Sequence, residues 1–79
     1  MPKSIFTGAN LVVVEALKAE RLKAGLKQSE LAERIGKDQS WISLVEGSQR
    51  RVDVVEFIQL AEALDVDPTA LLGEIVARL

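Results

Sequence analysis

Residues 28–46, QSELAERIGKDQSWISLVE, constrain this chain more than any other stretch. They read as two helices of about two turns each, broken at Gly36-Lys37-Asp38. Leu31, Ala32 and Ile35 form the apolar face of the first, and Ile42 and Val45 that of the second. Helices this short do not hold themselves in water, so they must fold against each other and against a third element. A glycine in the connection and a small alanine on the first helix suit a close crossing through a tight turn. The remainder of the chain is expected to support this pair.

The flanking sequence supplies that support as more helices. Residues 1–7 read as an arm, because Pro2 and the lack of periodicity give no helical start. Thr7 or Asn10 is the expected cap of a first helix running to about residue 24, with Gly25 just past its end. Val13, Leu17, Arg21 and Ala24 share one stripe of that helix, and an arginine in an apolar stripe needs a partner. Leu11, Val12 and Leu22 lie off the stripe. Leu26 turns inward and Lys27 takes the cap position of the next helix, although lysine has no acceptor to offer the free amides. Asp38 is better placed to cap the third helix, through the amide of Ser40 or Trp41. Gly47-Ser48-Gln49 ends it, and Arg50-Arg51 follow in a loop.

Asp53 and Glu56 have the spacing of a capping box for a fourth helix, with Phe57, Leu60, Ala61 and Leu64 on its core face. Asp65 ends this helix and Val66 folds back. Asp67-Pro68 opens a fifth helix, with a cap followed by proline at the first helical position. That helix, residues 68–78, ends just before Leu79; together they carry Leu71, Leu72, Ile75, Val76 and Leu79, more apolar side chains than one small core can bury. No strand pairs or repeats appear, so the expected fold is all-α: five helices over residues 8–79 behind the arm.

Composition narrows the chemistry. A chain of 79 residues makes one domain, and one this size buries about 60–65% of its unfolded surface. With no Cys and no His, zinc sites, disulfides and thiol or imidazole catalysis are excluded. There is no Tyr either, and the carboxylates are scattered over expected solvent faces, so nothing resembles a catalytic constellation. No metal or cofactor is expected, and no small-molecule pocket is evident in so small a core. Residues 1–8 do not read as a secretory leader and the longest apolar run, residues 11–14, is far short of a membrane span. A cytoplasmic protein with no membrane partner is expected.

The net charge of −2 would argue against nucleic acid if it were spread evenly. Residues 1–26 carry four bases and two acids, residues 27–51 five and four, and residues 52–79 one and six. The acidity belongs to the last third, which leaves the first two thirds free to present a basic face.

The set Arg21, Gly25-Leu26-Lys27-Gln28, Leu31-Ala32, Ile35-Gly36, Gln39-Ser40, Ile42-Ser43 and Glu46 resembles the phage repressor and Cro (Xre-type) helix-turn-helix family. The likeness continues through Leu60-Ala61, Leu64-Asp65-Val66 and Leu71-Leu72, so it covers roughly residues 13–72. Its elements are weak singly and specific in their joint spacing. The segment SWISLVEGSQRRVDVVEF is most similar to short stand-alone regulators, such as restriction–modification controller proteins and prophage-type repressors. The resemblance implies a buried ion pair between Arg21 and Glu46 that locks the motif, and a phosphate clamp at Gln28. This chain departs from the pattern in three places. Lys27 stands where Ser or Thr usually caps, Leu44 stands where a polar side chain often reaches DNA, and Gly47-Ser48 displaces the usual turn by one place.

Read from the residues, the third helix offers Gln39, Ser40, Ser43 and Leu44 opposite Ile42 and Val45. A glutamine amide donates and accepts at once, as adenine N6/N7 requires, a serine serves most bases, and a leucine touches a thymine methyl. Lys27, Gln28, Lys37, Arg50 and Arg51 would flank that face and supply phosphate contacts. Trp41 is expected to pack at the core edge with its indole edge toward a phosphate. The leading expectation is a sequence-specific double-stranded-DNA regulator, a homodimer on a pseudo-palindromic operator, with Val55, Leu72, Ile75, Val76 and Leu79 as its dimer interface. The competing expectation is a protein-interaction module, antitoxin-like or a helix-turn-helix fold that does not bind DNA, favoured by the net acidity and Leu44.

Overall fold

In a computed structural model, residues 8–79 are described. They form five helices in chain order: α1 (Gly8–Lys23), α2 (Gln28–Arg34), α3 (Gln39–Glu46), α4 (Val54–Ala63) and α5 (Pro68–Arg78). No strand occurs among the described residues, and the fold is all-α. The expected arm and the Thr7 cap lie outside the described residues. None of the described helices is long and apolar enough to cross a membrane.

The core is built where α2 and α3 cross and the other helices close over them. α1 packs on α3 and α5, and α4 packs on α5 and α2. Leu31, Ala32, Ile42, Leu60, Ala61, Leu64, Leu71 and Ile75 are all buried in one cluster with Ala16 and Leu17. Ala32 and Ala61 are almost wholly buried, and their small side chains allow backbones to approach at the crossing. Ile35, Trp41 and Phe57 pack on the rim of this cluster.

Four helices end by the same local device. After α1, α2, α3 and α4, the residues in the left-handed region are Gly25, Gly36, Ser48 and Asp65. In each case the next amide reaches back five residues: Leu26 to Arg21, Lys37 to Ala32, Gln49 to Leu44, and Val66 to Ala61. This closes the orphan carbonyls of the last turn and reverses the chain in very few residues. Gly47 has an ordinary φ of −81°, so the glycine after α3 stands one place early and Ser48 takes the left-handed position instead.

Several local expectations need correction. Asn10 is inside α1 rather than its cap, and its Nδ2 donates to Ser48 Oγ at 2.7 Å, tying α1 to the turn after α3. The buried stripe of α1 is Val14, Leu17 and Arg21 with Ala16, while Val13 is half-buried and Ala24 is exposed in the turn. The 3-and-4 spacing permitted either register; packing on both α3 and α5 rotates the helix toward Val14. Asp38 does not cap α3 through its side chain; Asp38 Oδ1 accepts instead from Ser40 Oγ at 3.0 Å. At Lys27 the backbone N–H donates to Glu30 Oε1 at 2.8 Å, so α2 keeps the half of a capping box that does not need the cap side chain. The α4 box is complete: Glu56 N donates to Asp53 Oδ1 and Asp53 N to Glu56 Oε1. Asp67 Oδ1 likewise accepts from Thr69 N ahead of Pro68.

Ile75 requires the largest revision. It is 1% exposed and belongs to the chain's own core, so it is withdrawn from the surface available to a partner. On α5 it shares the inward face with Leu71, at a spacing of four, while Leu72 and Val76 each sit one residue on, rotated outward.

The glycine positions yield a direct test. A Cβ at Gly25 or Gly36 would meet no atom within 4 Å, so any cost of Gly25→Ala or Gly36→Ala arises from the left-handed backbone alone. Each is expected to lose about 1–2 kcal/mol in urea unfolding with an unchanged m-value. A neutral result at both would show that these turns are not held in the left-handed region.

Candidate nucleic-acid interface

The outer side of α3 is an eight-residue amphipathic surface. Ile42 and Val45 anchor it from below, and Gln39, Ser40, Ser43 and Leu44 are exposed above. Leu44 is 42% exposed, an apolar side chain in the middle of an otherwise polar face.

Beneath this face, Arg21 and Glu46 meet in a two-pronged ion pair. Arg21 Nε donates to Glu46 Oε2 at 2.6 Å and Nη2 to Oε1 at 3.0 Å. Their side chains are 9% and 6% exposed. Arg21 Nη1 also donates to the Leu26 carbonyl at 2.6 Å, in the turn before α2. One guanidinium thus joins α1, the α1–α2 turn and the end of α3, with its fork geometry matched to the carboxylate. Among the described residues, no buried side-chain nitrogen or oxygen lacks a partner.

The pair extends outward. Gln28 Nε2 donates to Glu46 Oε1 at 3.0 Å, and Gln39 Nε2 donates to Gln28 Oε1 at 3.3 Å. Gln28, expected at the phosphate edge, is half-buried between the ion pair and the first residue of α3.

At the other edge of α3, Trp41 is half-buried and lies between two cations. Lys37 Nζ and the Arg50 guanidinium carbon are each 5.0 Å from its ring centroid, within cation–π range. Arg50 is also bound elsewhere: Nη2 donates to Glu56 Oε2 at 3.2 Å and Oε1 at 3.3 Å, and Nε to the Arg51 carbonyl at 3.1 Å. Arg50 therefore fastens the loop to α4 and the Trp41 ring. Lys27 and Lys37, in the turns ahead of α2 and α3, and Arg51, in the loop after α3, are exposed bases.

Local spacing gave no sign of Glu56 as a partner of Arg50, because its role in the α4 cap already accounted for it. Nor did it suggest Gln28 as a neighbour of Glu46, 18 residues away. An inward-facing acceptor beside an amide was the available signal, and it shows only once the α2–α3 crossing is known.

This arrangement agrees with the comparisons. The family model described as a helix-turn-helix domain matches residues 13–72. An XRE-family like protein from Pseudomonas syringae pv. tomato str. DC3000 is 37% identical, with 89% of this chain and 85% of that one covered at a TM-score of 0.83. The restriction–modification controller protein C.AhdI from Aeromonas hydrophila is also 37% identical, covering 78% of this chain and 94% of that one at a TM-score of 0.73. The clp gene regulator ClgR from C. glutamicum shares the fold at 20% identity, over 92% and 95% of the two chains, with a TM-score of 0.81. A comparison with curated proteins returns no match. The chain belongs to the helix-turn-helix domain family, in its XRE-type branch.

The ion pair sets a clear energetic expectation. Arg21→Met or Glu46→Leu alone strands a buried charge and should cost about 3–5 kcal/mol in urea unfolding. The Arg21→Met/Glu46→Leu double variant should lose far less than the sum of the two. Additive losses would mean that the groups are not coupled.

Proposed function

We propose that this DNA-binding transcriptional regulator works as a homodimer that lays α3 of each copy in the major groove of a pseudo-palindromic operator. The observation that carries the reading is the exposed Gln39, Ser40, Ser43 and Leu44 face over a rigidly anchored α3, flanked by exposed bases. Base edges in the major groove demand short groups that donate, accept or touch a methyl, and this face offers all three. Lys27, Lys37 and Arg51 supply sequence-independent attraction to phosphates, with Trp41 beside them and Arg50 contributing charge from its tethered position. Gln28 retains one amide hydrogen for a phosphate oxygen. The family membership and the 37% identity to a controller protein support a regulatory role.

Support for the dimer comes from the far side of the molecule. Val54, Val55, Leu72, Val76 and Leu79 are 50–74% exposed along α4 and α5. Two apolar grooves of about 190 and 260 Å³ run between them, over Val52, Phe57 and Ile58. An apolar surface of this kind is a poor one to leave in water, and a second copy would cover it by a self-complementary contact. Two copies so joined would read half-sites about one helical turn apart.

Gln39→Ala should relax preference at one base pair by about fivefold or more, while Arg51→Ala should weaken all duplexes alike and reduce the salt slope by about one. Fluorescence anisotropy over a salt series distinguishes the two. Absence of binding to random duplex at low salt would favour a protein-interaction module instead. For the dimer, Val76→Asp should move the sedimentation-equilibrium mass toward the monomer without unfolding the chain, and a monomeric parent at high micromolar concentration would remove the basis of the proposal.

A further inference from the structure

We infer that Leu44 makes operator binding responsive to C5 methylation of cytosine, by giving the added methyl group an apolar contact on the reading face. This rests on the reading of α3 as the base-contacting helix. Leu44 is 42% exposed on a face whose other members, Gln39, Ser40 and Ser43, are polar. Its neighbours Ile42 and Val45 are 1% and 2% exposed, so the inward side of α3 is filled without it. The turn after the helix holds its backbone, because Gln49 N donates to the Leu44 carbonyl at 2.9 Å. The side chain is thus an isolated apolar point on a helix pinned at its end.

Methylation at C5 leaves the pairing of cytosine untouched and changes only its major-groove edge, where the methyl stands beside the N4 amino group. A polar side chain gains little from that methyl, whereas an aliphatic one removes it from water, worth about fourfold in affinity for one such group. Thymine carries the same methyl beside an acceptor, O4, instead of a donor. Ser40 distinguishes the two. It lies four residues before Leu44 on the same stripe of α3, and its hydroxyl donates to Asp38 Oδ1 at 3.0 Å. With that proton committed, its oxygen is left to accept, which suits the cytosine amino group and not thymine O4. Unmodified cytosine satisfies Ser40 and gives Leu44 no methyl to cover. Methylation completes the match.

The test varies a single methyl group. The parent's preferred site is taken from a pool of randomised duplexes, and each of its base pairs is then presented in turn as cytosine or 5-methylcytosine opposite guanine. In fluorescence anisotropy, methylation at one pair of each half-site should tighten binding about fourfold. Leu44→Ser, its fold checked by circular dichroism, should bring that ratio to about one, and Leu44→Met, which keeps an apolar side chain of similar volume, should retain it. A ratio near one at every pair in the parent overturns the inference, as does an unchanged ratio in Leu44→Ser. Thymine-to-deoxyuridine exchange runs alongside, and a methyl effect at thymines with none at cytosines also overturns it. If Leu44→Ser does not fold, the parent complex decides: nuclear Overhauser contacts between the Leu44 Cδ methyls and the 5-methylcytosine methyl are expected, and their absence overturns the inference. A parent that selects no sequence removes α3 as the reading helix and the inference with it. A sequence selected without any methyl response leaves that reading standing and sinks the inference alone.

Discussion

The contact between Arg21 and Glu46 is the constraint on which the rest depends. Three segments meet at it: α1, the turn ahead of α2, and the last residue of α3. Burying two charges is costly, and the cost is met only because every prong of the guanidinium fork finds an oxygen. That requirement sets α3 against α1 far more narrowly than the apolar contacts of Ile42 and Val45, which tolerate sliding. The orientation of the exposed face of α3 follows from it.

Around that point the molecule uses short helices and abrupt reversals. Repeating one termination geometry at Gly25, Gly36, Ser48 and Asp65 lets helices of seven to sixteen residues follow one another with little loop between them. At Ser48, where no glycine takes the left-handed backbone, the buried side chain accepts from Asn10, which offsets part of the cost. The economy of loop matters in a chain of 79 residues, where each disordered residue forfeits a share of a small core.

The two ends of the molecule differ in chemistry as well as shape. Exposed bases and short polar groups gather around α2 and α3, whereas the segment of α4 and α5, residues 52–79, combines uncovered apolar side chains with six acids against a single base. A single overall charge of −2 conceals this division. Arg50 sits at the boundary, tied to Glu56 at the start of α4 and stacked on Trp41 of α3, so the basic loop is held to both halves.

The sequence by itself determined what depends on neighbours three or four residues apart. The five helices, the Asp53–Glu56 box, the Asp67-Pro68 start and the amphipathic split of α3 all follow from such spacing. The family resemblance added the expectation that Arg21 and Glu46 pair. Tertiary structure alone decided what depends on how helices cross. Choosing Val14 over Val13, withdrawing Ile75 into the core, tying Arg50 to Glu56 and setting Gln28 between Glu46 and Gln39 are outcomes of contacts in space. The last spans 18 residues and the ion pair 25, separations at which local periodicity carries no information because only the helix crossing brings the side chains together.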